Sequence, residues 1–174
     1  MLPLIKETSF KQLYHNIEVG FPNTRYRQHA TQPIEIMEMT WLPYRGVKTL
    51  YIKGLAKNED REYNSMILFK NVDYETNENT VTISASTGGS YKLKKISLEE
   101  SDVLVRCNCK DFRYRFGYYN SLDRSLYGNV PTRYESKGIR GPINPTQVSG
   151  FCKHIIKLFE VLEQAHLFFP PNPA

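Results

Sequence analysis

All three cysteines of the chain fall in one pattern: Cys107-Asn108-Cys109 and, far downstream, Cys152-Lys153-His154. Cysteine used nowhere else, in two tight pairs completed by a histidine, reads most simply as a four-ligand zinc site. Such a site constrains the fold more than any other feature, because two distant segments must meet at one ion. It also constrains the chemistry. Four protein ligands leave no position open for a substrate water, so the ion builds structure.

The local sequence around each pair fits this reading. In an extended strand, residues i and i+2 share a face. Val103-Leu104-Val105-Arg106 reads as a strand that runs straight into Cys107, so Cys107 and Cys109 can aim at one point. In a helix, i and i+2 stand about 200° apart around the axis. Cys152 and His154 therefore converge only if Cys152 lies at or just before the first turn. That position also favours a thiolate through the positive end of the helix dipole. A redox pair would be spaced C-x-x-C, and a catalytic Cys152–His154 pair lacks an orienting third group nearby.

The rest of the chain predicts an α+β fold: an antiparallel β-sheet, a short N-terminal helix and a zinc-clamped C-terminal helix. Thr8 or Ser9 can cap a helix carrying Phe10, Leu13, Tyr14 and Ile17, ended by Gly20 and Pro22. Strands are expected over Ile34–Leu42, Val47–Lys53, Ser65–Val72, Val81–Ala85 and Tyr91–Ile96, with Gly88-Gly89 at the centre of a tight hairpin. Ser149 is a plausible cap for the last helix, whose apolar positions Ile155, Leu158, Val161 or Leu162, and Ala165 follow a helical period. We expect one domain over 1–174. It divides into a helix and extended arm (1–45), antiparallel strands (46–106) and a zinc module (107–169) with an inserted loop over 113–150.

The net charge is +5, and its excess lies inside that loop, with five arginines and one lysine against Asp123 and Glu135. Arg113, Tyr114, Arg115, Tyr118, Tyr119, Arg124, Arg133 and Arg140 interleave cations with flat rings, the composition of surfaces that hold phosphates and stack bases. The same residues can instead stack on one another and on the sheet, or dock a protein partner. The smaller cluster Arg25, Tyr26, Arg27 and His29 reads as a solvated loop.

C-x-C followed by Asp111-Phe112, and later Cys152-Lys153-His154-Ile155 opening an apolar helix, resembles the SWIM zinc-finger family. The resemblance implies a ββα unit over about residues 81–166, with zinc on Cys107, Cys109, Cys152 and His154. It also implies a binding role in DNA-associated, chromatin-associated or protein-interaction settings. The 42 residues between Cys109 and Cys152 form a longer interval than the family usually carries.

No phosphate-binding glycine loop, nucleophile elbow or paired catalytic carboxylates appear, so neither catalysis nor a small-molecule substrate is expected. No run of about 18 apolar residues is present, so no membrane partner is expected. An odd cysteine count without a secretory signal at Met1–Phe10 predicts an intracellular reducing compartment, cytoplasm or nucleus, or a virion if the chain is an assembly subunit. The functional expectation is a zinc-binding, non-catalytic module for nucleic acid (DNA) or protein interaction. The alternative is a structural or assembly subunit of a viral particle or other large complex, with zinc purely structural.

Overall fold

The first helix forms where the apolar spacing places it. Ser9 adopts the extended N-cap geometry and its hydroxyl accepts a hydrogen bond from the Gln12 amide, opening α1 (Phe10–Gly20). Phe10, Leu13 and Ile17 form its buried face. The computed structural model describes residues 7–21, 34–135 and 141–170. The expected Arg25–His29 loop, and Lys137 and Arg140, lie outside the described residues.

Four strands build the main sheet in the order β1 (Glu35–Tyr44), β2 (Thr49–Asn58), β3 (Arg61–Phe69) and β6 (Val103–Cys107), all antiparallel. In β2 the alternation is regular, with Leu50, Ile52 and Ala56 buried. The charged stretch Lys57–Glu62 is continuous with β2 and β3, which run into a turn at Glu59–Asp60. A separate hairpin pairs β4 (Thr80–Ser84) with β5 (Ser90–Lys94). Its turn uses Gly88 and Gly89 at φ 104° and 87°, the left-handed region that suits glycine.

This arrangement alters the expected ββα unit. The strand that delivers the cysteines pairs with β3, not with the hairpin that precedes it in sequence. The interval 113–150 also differs from an open loop. A π-helical turn (Phe112–Phe116) leads into the short helix α2 (Gly117–Leu122), both anchored by buried Phe112, Phe116 and Asn120.

The last helix, α3 (Lys153–Gln164), lies on the main sheet with Ile155, Ile156, Leu158, Phe159 and Leu162 buried. Its N-cap is Cys152 in extended geometry, not Ser149. Ser149 instead donates its hydroxyl to Asp123. The sheet makes room for α3 by small residues. A side chain at Gly54 would come within 2.8 Å of Leu158, and Ser65, opposite Gly54, donates its hydroxyl to the Gly54 carbonyl at 3.1 Å. One apolar core joins α1, both sheets, the π-helical turn and α3. Phe10 stacks on Phe151 and Phe159 at centroid distances of 4.7 and 4.6 Å.

Candidate metal centre

Cys107 ends β6 on the same face as Val103 and Val105, directed into the core. The ladder continues one step beyond the strand. The Asn108 amide donates to the Asn64 carbonyl at 3.2 Å, and the Asn108 side-chain oxygen accepts from the Asn64 amide at 2.9 Å. Asn108 is thus held on the outside while Cys107 and Cys109 both turn inward. Cys152, before the first helical turn, and His154, within it, meet them from α3.

The four side chains converge as the spacing predicts. Their ligand atoms all lie within 4.8 Å of one another, and all four residues are buried. His154 Nδ1 stands 3.8 Å from Cys107 Sγ and 3.8 Å from Cys152 Sγ. A tetrahedral zinc with its usual bond lengths would separate sulfur from sulfur by about 3.8 Å and sulfur from nitrogen by about 3.6 Å. The cluster is therefore close to the size of a four-coordinate site. The cysteines form no disulfide.

The electrostatics point the same way. Hydrogen bonds from Cys107 and Cys152, helped by the Phe112 amide at 3.3 Å, pull the Cys109 thiol far below its ordinary range. The same hydrogen bond to Cys109 holds the Cys107 thiol well above its usual value. Burial, ahead of the neighbouring sulfurs, pushes Cys152 up. At Cys152 burial outweighs the help expected from the helix terminus. Without a counter-charge, like charges this close oppose one another in a dry site. A divalent cation removes that restriction, since it binds the ionised thiol. The donor set fits a thiophilic ion.

His154 is oriented by packing. Its ring lies against Tyr63 at a centroid distance of 4.4 Å. With Nδ1 aimed at the sulfurs, Nε2 is buried and makes no hydrogen bond among the described residues.

The expected arginine–tyrosine residues divide into groups. Arg113, Tyr114, Arg133 and Tyr134 are exposed and gather on one surface. Arg113 lies over the Tyr114 ring at 5.6 Å, Tyr114 meets Tyr134 at 4.9 Å, and Arg133 lies over Tyr118 at 6.0 Å. Tyr118 and Tyr119 are half-buried and pack edge to face. Arg124 is exposed elsewhere, close enough to Glu7 to influence it.

Arg115 departs from the expectation. It is 6% exposed, its Nε lies 3.3 Å from Asp111, and its guanidinium covers Phe21 at 5.1 Å. It points into the molecule because it follows Phe112 and Asp111 around the π-helical turn, which rotates it away from Tyr114. It belongs to the core, not to a binding face. Tyr134, next to Arg133 in the same arginine–tyrosine run, joins the exposed group.

No helix among the described residues is long and apolar enough to cross a membrane. No family model, curated protein or solved structure matches this chain.

Proposed function

We propose that the chain is a non-catalytic zinc module that binds nucleic acid through the exposed surface of Arg113, Tyr114, Arg133 and Tyr134. Cys107, Cys109, Cys152 and His154 would hold the ion, in the ligand order of a SWIM-like finger. A bound zinc supplies cross-linking of β6 to α3 and no open coordination position. The observation that carries the reading is the alternation of guanidinium and ring on one exposed surface. Guanidinium groups pair with phosphates, and solvent-exposed rings accept stacked bases. This surface begins four residues after Cys109 and rests on buried Phe112 and Phe116, so it is held on the metal centre's own scaffold.

The test is fluorescence anisotropy with labelled single- and double-stranded DNA at increasing salt. Binding is expected to weaken steeply, with a log–log slope of about −0.7 to −0.9 per phosphate contacted. Arg113→Glu together with Arg133→Glu should abolish it. No binding at about 50 mM salt removes the reading, because the phosphate contribution is large there.

A second reading, an assembly subunit docking another protein, is favoured by Val130. It is 61% exposed and lines the same cavity as Arg113, and apolar, Tyr and Arg side chains together suit protein interfaces. Protein retained with the purified chain, and no affinity for DNA, would support it.

A further inference from the structure

Beside the metal centre, and sharing Cys107 as part of its wall, lies a cavity of about 270 Å³. Two arginines line it, Arg106 and Arg113, together with the amide-bearing Asn108 and Asn129 and the apolar Phe112 and Pro131. No acidic residue does. We infer that this cavity is a binding site for a phosphate group, borne either on a nucleic-acid strand or on a free nucleotide.

The argument rests on Arg106. Its Nη1 donates to the carbonyls of Tyr127 at 2.9 Å and Asn129 at 2.7 Å, which fixes the plane of the guanidinium. Those carbonyls belong to a segment fastened to the sheet. The Val105 amide donates to Ser125 at 2.8 Å and the Tyr127 amide to Val105 at 3.1 Å. The guanidinium is therefore held before any ligand arrives. Nε and Nη2 keep their donors without a hydrogen bond among the described residues, and no carboxylate pairs with Arg106 or Arg113 there. A half-buried guanidinium of fixed plane, with donors left over, matches the two-point geometry of a phosphate. Arg113, from the facing π-helical turn, supplies a second charge. The volume lies just below the usual range for small-molecule sites, about 300–1,000 Å³, which limits the occupant to one phosphate and its immediate substituent.

The cavity shares Arg113 with the proposed nucleic-acid surface but is argued independently of it, and Arg106 separates the two. Titrations of the intact, zinc-loaded chain with inorganic phosphate, adenosine 5′-monophosphate and a short single-stranded oligodeoxynucleotide should be followed by calorimetry and by the NMR signal of the Arg106 Nε–H. At least one probe is expected to bind and to shift that signal. Arg106→Lys keeps the charge but loses the fork, and should weaken the probe about tenfold. Arg113→Gln, an exposed change that leaves the fold intact, should do the same. Weakening of the oligonucleotide alone assigns the phosphate to a strand; weakening of the monophosphate assigns it to a free nucleotide. Either result supports the site. No binding of any probe at millimolar concentration overturns it. Oligonucleotide binding that falls with Arg133→Glu but not with Arg106→Lys overturns the cavity while leaving the surface reading intact. If Arg106→Lys proves unstable, Arg113→Gln and the Arg106 signal of the unaltered chain decide.

Discussion

Asn120 and Gly150 exchange two hydrogen bonds: the Asn120 amide donates to the Gly150 carbonyl at 2.8 Å, and the Gly150 amide donates back to Asn120 Oδ1 at 2.9 Å. Asn120 is fully buried in α2, while Gly150 stands two residues before Cys152. The side chain thus acts as a strand partner for the backbone that enters the candidate metal centre. Asn120→Ala leaves a buried donor and a buried acceptor unpaired. We expect a loss of at least about 2 kcal/mol in urea unfolding. A change under about 0.5 kcal/mol would contradict the role assigned to this pair.

Gly150 is also confined by sterics. A Cβ there would lie 2.4 Å from Ile17 and 2.8 Å from the Phe116 ring. Gly150→Ala should therefore destabilise by about 1–3 kcal/mol through overpacking, seen as a lower Tm. An unchanged Tm would mean that α1 yields freely at Ile17.

The metal reading makes its own demand. Stoichiometric zinc should be found in protein purified without added metal. Chelation should lower the Tm sharply, and Cys109→Ser should carry no zinc. Because the ion binds deprotonated ligands, its affinity should fall as pH falls, with release into a chromophoric chelator on acidification. Equal Tm with and without chelator would exclude a structural ion.

Arg115 should respond differently from its exposed neighbours. Arg115→Gln removes a charge packed on Phe21 and close to Asp111. It is expected to lower stability while leaving the salt dependence of DNA binding unchanged. Arg133→Glu should do the reverse. A reduced salt slope in Arg115→Gln, at unchanged Tm, would return Arg115 to the binding surface.

At high pH one weak point is Tyr74. Its hydroxyl donates to the Thr49 carbonyl at 2.7 Å, and burial, ahead of the nearby Tyr91, raises its pKa to about 12. The unfolded phenol ionises near pH 10, so the folded state favours the neutral form. The stabilisation is complete below about pH 10 and is lost as pH rises towards about 12. Tyr74→Phe should flatten the fall in Tm over that window. An identical fall in both proteins would remove Tyr74 as its cause.

Much of this fold is legible along the chain. The strands follow from β-forming runs broken by Gly, Asn and Asp, and α1 and α3 from apolar residues at helical spacing. The four clustered side chains are legible because cysteine appears nowhere else and His154 stands two residues from Cys152. What escapes sequence reasoning is non-local. Nothing near Val103 indicates that its strand pairs with β3 in preference to the hairpin just before it. Ser149 has the chemistry of a cap, but Asp123 takes its hydroxyl. The helical turns after Cys109 carry a signal, with Phe112, Phe116 and Asn120 buried at four-residue intervals. That signal is masked by the tyrosines and arginines between them. Arg106 looks like any strand-end cation until Tyr127 and Asn129 close around it.

The stacking of Phe10 on Phe151 and Phe159 has a consequence for synthesis. A protein made from its amino end exposes the first ring long before its two partners exist, and the sheet's apolar face stays open until α3 emerges from the ribosome. The first two thiols wait through the same delay. Closure of the interior and assembly of the three sulfurs with His154 thus become one late event, and a ribosome stalled short of Cys152 would hold a sticky, unfinished sheet.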